Sequence, residues 1–267
     1  MKEKSTQLPN EIKINLQPNK KIYFASDLHL GLYPRDKSNE REKLFVKWLD
    51  EIQPQTQVLF LLGDVFDFWY EYRKVIPKGF TRFLGKLCEF SDKGIEVHLF
   101  TGNHDVWMFD YLPSEIGAVV HQESIKVDIN GKKFFIGHGD GLGKGDWGYK
   151  FLKACFTSKT LQFLFSRLHP NLALAIGHAW SKKSRLSKGI SEEFKGEEKE
   201  HQILFARDYF KNNNVDYFVF GHRHIPMDLK LNENSRLINL GEWIYSNSFA
   251  EFDGSKMELK FYSKYSN

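Results

Sequence analysis

Five short apolar runs in this chain each end on Asp, Asn or His. Lys21–Ser26 (KIYFAS) runs into Asp27-Leu28-His29, and Val58–Leu62 (VLFLL) runs into Gly63-Asp64. Ile95–Phe100 leads to Gly102-Asn103-His104-Asp105, Lys132–Gly137 to His138, and Asp216–Phe220 to Gly221-His222-Arg223-His224. Each run has the length and apolar content of a buried strand. Open α/β sheets bind ligands at the carboxyl ends of their strands, so side chains scattered from residue 27 to residue 224 can meet at one edge.

The segments between these runs support an α/β class. Leu44, Phe45, Trp48 and Leu49 give Glu40–Ile52 helical spacing, and Phe80–Ser91 reads as a second helix closed near Gly94. Asn130-Gly131 between Ser124–Ile129 and Lys132–Gly137 is a hairpin signal. Three short strands are expected near 228–231, 236–240 and 247–262. The organisation reads as a polar, partly disordered lead-in over 1–20, a core over 21–140 and 213–267, and a helical insertion over 141–212. Among 267 residues, 20 Gly and 8 Pro against 24 Phe exclude low-complexity disorder. The absence of a long apolar run excludes a membrane-spanning helix, and residues 1–20 carry no apolar signal core. Two cysteines, Cys88 and Cys155, make neither a disulfide framework nor a four-Cys zinc site. Their apolar context reads as buried thiols, and a cytosolic protein is expected.

Charge is concentrated in the insertion. Gly141–Ile190 holds nine cations (Lys144, Lys150, Lys153, Lys159, Arg167, Lys182, Lys183, Arg185, Lys188) against Asp146, so it carries +8 of a net +4 chain and the remainder sums to −4. These cations alternate with Phe151, Phe156, Leu161, Phe163, Phe165, Leu174 and Trp180. A basic amphipathic segment suits an anionic lipid, a membrane surface or nucleic acid; a solvated helix pair is the bland alternative.

Asp27, His29, Asp64, Asn103, His138, His222 and His224 offer carboxylate, amide oxygen and imidazole without thiolate, which favours Mn, Fe or Zn over a calcium cage. Seven ligands exceed what one open catalytic ion uses. They suit two ions sharing a bridging carboxylate, for which Asp64 is the natural choice. Of the other histidines, His98 reads as a core strand residue, and His121, His169, His178 and His201 as surface or insertion residues. Phe66, Phe68, Trp69, Tyr70 and Tyr72 read as core packing or as the wall of an apolar cleft.

The ordered set D-x-H, GD, GNHD, lone His and GHxH resembles the calcineurin-like metallophosphoesterases over residues 22–224. The resemblance implies a four-layer α/β/β/α fold of two mixed sheets. It implies one ion on Asp27, His29, Asp64 and His224 and another on Asp64, Asn103, His138 and His222. His104 is then a catalytic residue near the leaving group, oriented by Asp105. Asp27-Leu28-His29-Leu30, Leu61 through Trp69 (LLGDVFDFW) and His138-Gly139-Asp140-Gly141-Leu142 further resemble the UDP-2,3-diacylglucosamine hydrolases of lipid A biosynthesis. That implies water attack on the α-phosphorus of UDP-2,3-diacylglucosamine, giving UMP and 2,3-diacylglucosamine 1-phosphate. It also implies Mn²⁺ as the ion, an insertion acting as lid, and peripheral attachment to the cytoplasmic face of the inner membrane. The best-known members of that family carry Arg where this chain has His104. Asp146 matches an acidic lid position. Lys182, Lys183, Ser184 and Arg185 read as binding diphosphate or anionic lipid, or as a solvated loop, and Arg223 as reaching a phosphate or capping a strand. Asp67 is expected to support Asp64, and Trp243 and Tyr245 to lie on the rim. A nuclease or nucleotide phosphodiesterase is the alternative, with steep salt dependence. The apolar content of the insertion counts against it, and no nucleic-acid partner is expected. A non-enzymatic scaffold is disfavoured because every metal candidate and His104 are present.

Overall fold

The computed structural model describes residues 11–142, 147–188 and 193–262, with backbone alone at 147–149 and 183–188. The strands are β1 (Glu11–Ile14), β2 (Lys21–Ala25), β3 (Thr56–Leu62), β4 (Glu96–Phe100), β5 (Val119–His121), β6 (Ile125–Ile129), β7 (Lys132–Ile136), β8 (Tyr217–Phe220), β9 (Pro226–Lys230), β10 (Arg236–Leu240), β11 (Ser248–Phe252) and β12 (Met257–Phe261). The helices are α1 (Arg35–Ile52), α2 (Thr81–Asp92), α3 (Trp147–Thr157), α4 (Lys159–Phe165), α5 (Pro170–Lys188) and α6 (His201–Phe210).

Two six-stranded sheets form, ordered β12-β11-β2-β3-β4-β5 and β1-β6-β7-β8-β10-β9. Strands β2 to β5 run parallel, while β11 joins β2 antiparallel. In the second sheet β7, β8 and β10 are parallel, β6 pairs antiparallel with β7, and β9 pairs antiparallel with β10. Both sheets are mixed.

Strand alternation explains the layering, because successive side chains face opposite sides of a sheet. From β2 and β3, Phe24, Phe60 and Leu62 meet Phe134, Ile136, Val219 and Ile238 of the other sheet in an inter-sheet core. The opposite face of β2 and β3, with Tyr23, Leu59 and Leu61, buries Phe45, Trp48 and Leu49 of α1 and Phe83, Leu87 and Phe90 of α2. On the far side Ile203 and Ala206 of α6 pack against Phe135, Phe218 and Leu237. The result is the four-layer α/β/β/α sandwich. Helix α6 lies inside the 141–212 segment read as an insertion, yet it forms the outer layer of the second sheet.

Residues 11–14 of the polar lead-in are a strand, β1, paired in parallel with β6. Its EIKI pattern buries Ile14 and exposes Glu11, an edge strand too short to stand out in a polar context. Helix α1 starts at Arg35 rather than Glu40, because its first turn, Arg-Asp-Lys-Ser-Asn, carries no apolar residue to betray the period.

Candidate metal centre

The seven candidate ligands come from the carboxyl ends of five strands. Asp27 and His29 follow β2, Asp64 follows β3, and Asn103 follows β4. From the second sheet, His138 follows β7, and His222 and His224 follow β8. Backbone bonds between the loops fix their relation: Asp27 N–H to Gly63 O at 3.1 Å, His29 N–H to Asp64 O at 2.9 Å, and Gly221 N–H to His138 O at 3.0 Å. Asp27, His29, Asp64, His222 and His224 all have left-handed backbone, with φ from 45° to 70°. Such conformations are disfavoured for non-glycine residues and gather at sites where geometry is held for function. A Cβ on Gly102 would fall against Asp64 Oδ1, and one on Gly221 would lie 2.5 Å from Asp27 Oδ2, so these turns need glycine.

The ligand atoms form two sets. Asp27, His29, Asp64 and His224 present atoms that all lie within 4.8 Å of one another, as do Asp64, His138 and His222. In the first, His29 Nε2 lies 3.1 Å from His224 Nε2 and 3.9 Å from both Asp27 Oδ1 and Asp64 Oδ2. In the second, His138 Nε2 lies 3.5 Å from Asp64 Oδ2, 3.4 Å from Asn103 Oδ1 and 3.3 Å from His222 Nδ1. Asp64 Oδ2 belongs to both, as a bridge must.

These residues fit divalent cations on three counts. Asp27 Oδ1 is buried without a hydrogen-bond partner, although it lies 3.1 Å from His224 Nε2. His138 Nδ1 donates to Leu62 O at 2.7 Å, which leaves Nε2 bare for an ion. The field is strongly negative: burial would lower the His138 imidazole, yet Asp64 beside it pushes it up to about 10. Burial would likewise raise Asp64, but His138, His104 and His29 hold it well below the usual carboxylate range. Burial holds His29 and His222 down at about 4, neutral and ready to ligate.

The centre opens into a cleft of about 1750 Å³. One wall is built from α1, the 75–80 loop and the 243–247 loop, the other from Phe68 and from Leu174, His178 and Lys182 of α5.

The family model for calcineurin-like phosphoesterases matches residues 20–226. The chain belongs to this family. It is 38% identical over 253 residues to a UDP-2,3-diacylglucosamine hydrolase of Porphyromonas gingivalis, covering 90% of this chain and 97% of that one. A UDP-2,3-diacylglucosamine hydrolase of Haemophilus influenzae is 28% identical over 84% of this chain and 91% of its own. Among solved structures, vacuolar protein sorting 29 of Cryptosporidium parvum aligns with a TM-score of 0.43 at 14% identity, covering 93% of this chain and 100% of that one. The protein is therefore a divalent-metal-dependent phosphoester hydrolase.

The rest of the phosphoesterase site departs from the sequence reading in several places. Asp105 makes no described contact with the His104 ring. Its carboxylate accepts from Gly102 N–H at 2.7 Å, Phe66 N–H at 3.2 Å and Asp64 N–H at 3.3 Å, tying the β3 and β4 loops together. Burial and the nearby Asp64 push its carboxyl up to about 7. Asp67, expected behind Asp64, instead places Oδ1 3.7 Å from His29 Nδ1, and its backbone carbonyl lies 3.1 Å from His104 Nδ1. Arg223 forks onto Glu200, Nε to Oε2 at 2.8 Å and Nη2 to Oε1 at 2.9 Å. Lys182 is exposed on the cleft wall. Asp146 and the side chains of Lys183, Ser184 and Arg185 lie outside the described residues.

Phe66 and Trp69 are fully buried core, while Phe68, Tyr70 and Trp107 form an aromatic cluster with Phe156, Phe165 and Leu174 of the insertion helices. Trp107 Nε1–H donates to Phe156 O at 2.8 Å and Tyr70 O–H to Gln162 O at 2.9 Å. Trp243 is buried against Phe45 and Trp48, whereas Tyr245 is exposed on the rim as expected. His121, read as surface, is half-buried and stacked on His98. Both cysteines are free thiols, half-buried rather than buried. Sequence reasoning missed Ser181 and Glu200, which stand in no local motif, and the pairing of Lys153 with Asp140 at 2.8 Å.

Proposed function

We propose that this phosphoesterase hydrolyses the diphosphate of UDP-2,3-diacylglucosamine, releasing UMP and 2,3-diacylglucosamine 1-phosphate. The observation that carries the reading is a single cleft that holds the Asp/His centre and runs under the apolar, cationic helix α5. About 1750 Å³ exceeds the 300–1,000 Å³ of an ordinary small-ligand site and suits a nucleotide joined to acyl chains. The relatives bearing that name support the same substrate.

Asp27, His29, Asp64 and His224 would hold one ion, and Asp64, Asn103, His138 and His222 the other. Manganese is the proposed metal, with iron or zinc matching the same donors. When bound, such ions lower the pKa of a water and neutralise phosphoryl charge. The protein's own groups do the rest. Asp105 holds the loops that carry Asp64 and Asn103 in register. His104 lines the cleft and would face the departing phosphate. A phosphate monoester with a second pKa near 6 leaves with little need of a proton. A positioned imidazole stabilising charge is then sufficient, and that is a role an Arg could also fill. Lys182, with Lys183, Ser184, Arg185 and Asp146, is proposed to contact the diphosphate-sugar. Arg223 is assigned to structure through Glu200.

Phe151, Phe163, Leu164, Leu172 and Ile176 of α3 to α5 are exposed beside Lys150, Lys159 and Arg167. No described helix is long and apolar enough to cross a membrane. This apolar, basic surface supports peripheral binding to an anionic membrane on the cytoplasmic face, and co-sedimentation with anionic but not neutral vesicles tests it.

The deciding experiment compares UDP-2,3-diacylglucosamine in micelles with UDP-GlcNAc and bis-p-nitrophenyl phosphate, with Mn²⁺ present. A strong preference for the diacylated substrate supports the reading. Turnover of the generic diester alone removes the lipid assignment and leaves a phosphodiesterase.

A further inference from the structure

Ser181 lies on α5, far in sequence from every metal motif, and is buried. Its hydroxyl donates to Asp67 Oδ2 at 3.1 Å and lies 3.1 Å from His104 Nδ1. With its hydrogen given to Asp67, the hydroxyl turns lone pairs toward Nδ1. The Asp67 carbonyl, 3.1 Å from the same nitrogen, can only accept. Both neighbours therefore require Nδ1 to carry its hydrogen. The ring is held by that edge, and Nε2 is the nitrogen left for substrate. The third member of the group, Asp67, also faces His29 Nδ1.

Helix α5 is seated tightly enough to hold such a contact. Gly177, one turn before Ser181, packs so closely that a Cβ there would fall among the ring carbons of Phe68. Ala173, one turn earlier, is fully buried. The column Ala173, Gly177, Ser181 is the inward face of α5, and its last member reaches His104.

We propose that Ser181 is a positioning residue for His104, so that α5 is a working part of the catalytic site as well as a wall of the cleft. The proposal rests on the reading of His104 as the leaving-group residue. It means that His104 is aimed only while α5 is seated on Phe68.

A double-mutant cycle tests this. Ser181→Ala should lower kcat about tenfold with KM changed less than about twofold, as expected for a lost buried hydrogen bond. In a His104→Ala background the same change should alter kcat less than about twofold, because the group Ser181 acts through is gone. Ser181→Thr, which keeps the hydroxyl, should recover most of the wild-type kcat. Metal content measured on each variant separates a positioning loss from a damaged His29 side. Equal losses in both backgrounds, or a raised KM with kcat intact, would overturn the proposal. Should Ser181→Ala lower the melting temperature too far to assay, Ser181→Cys keeps the volume, removes the hydroxyl and carries the same cycle. Running the cycle on bis-p-nitrophenyl phosphate as well as the lipid substrate keeps the two readings separable. Failure on the lipid alone counts against the substrate assignment and not against Ser181.

Discussion

The Nε2 atoms of His29 and His224 face each other at 3.1 Å, brought together from opposite sheets. Asp27 Oδ1 reaches the same His224 nitrogen at 3.1 Å. Buried donors crowded in this way are arranged for a cation. Chelation of divalent ions should abolish hydrolysis and lower the melting temperature. At a free ion concentration 100 times Kd the linkage is worth about 2.7 kcal/mol, roughly 5–10 °C for a chain of this size. Differential scanning fluorimetry with and without chelator, followed by Mn²⁺ add-back, checks both effects.

Asp64→Asn should disable both ion positions at once. Asp64 Oδ2 lies 3.9 Å from His29 Nε2 and 3.5 Å from His138 Nε2, so neither set is complete without it. Activity should fall by about a thousandfold or more, with bound metal dropping below one ion per chain. Asn103→Ala touches one set and should retain about one ion. Elemental analysis of the purified variants distinguishes them.

Gly177→Ala should push α5 off Phe68, since the added methyl has no space. Overpacking of this kind costs about 1–3 kcal/mol. kcat should fall as His104 loses the Ser181 contact, KM for the diacylated substrate should rise and limited proteolysis between α3 and α6 should quicken, while metal content stays at the wild-type value.

Breaking the Arg223–Glu200 fork should act on stability rather than on substrate. Both side chains are largely buried, and removal of one strips the other of its ion-pair partner. Arg223→Met should destabilise the fold by roughly 3 kcal/mol, as loss of one buried partner does. Joint replacement with Glu200→Gln should cost less than the sum. A KM increase for substrate without a stability loss would return Arg223 to phosphate binding.

Stability should fall on acidification through a pair remote from the metals. His98 Nδ1 and His121 Nε2 lie 2.8 Å apart in stacked rings between Phe60 and Phe100, with Glu96 alongside His98. Burial and the neighbouring His98 hold His121 down at about 4. Between about 6.5 and 4 the unfolded chain binds a proton that the folded one refuses, so stability rises with pH across that window. Because His121 is partly exposed, the effect should be on the order of 1 kcal/mol, or about 2–4 °C. His121→Phe should flatten the dependence. Melting curves from pH 4 to 7.5 at fixed salt check it.

The clustering of the candidate Asp, Asn and His side chains was legible because each stands within a few residues of an apolar run, and a strand's direction fixes where its end points. Asp64, Asn103 and His138 needed no tertiary information beyond that. What was illegible depends on contacts between distant parts of the chain. Ser181 meets Asp67 from 114 residues away, and nothing around it marks it from its polar neighbours. Asp67 was assigned to the nearer Asp64, but the turn after β3 carries it round to His29. The short strands β1 and β5 were missed because three or four residues at a sheet edge show too little alternation. Helix α6 was grouped with the insertion by sequence position, although its apolar face belongs to the second sheet.

Strand order in the second sheet bears on how the enzyme is made. Strand β8, which delivers His222 and His224, lies between β7 and β10, and β10 ends at Leu240. A chain emerging from the ribosome can complete β2, α1, β3, α2 and β4 long before that. Until nearly the whole polypeptide has been synthesised, however, Asp27, His29 and Asp64 face open solvent where their partner histidines will later stand. A chain truncated before Tyr217 would carry five of the seven candidate ligands and lack the two histidines that β8 delivers, so neither ligand set could be complete until the polypeptide is nearly finished.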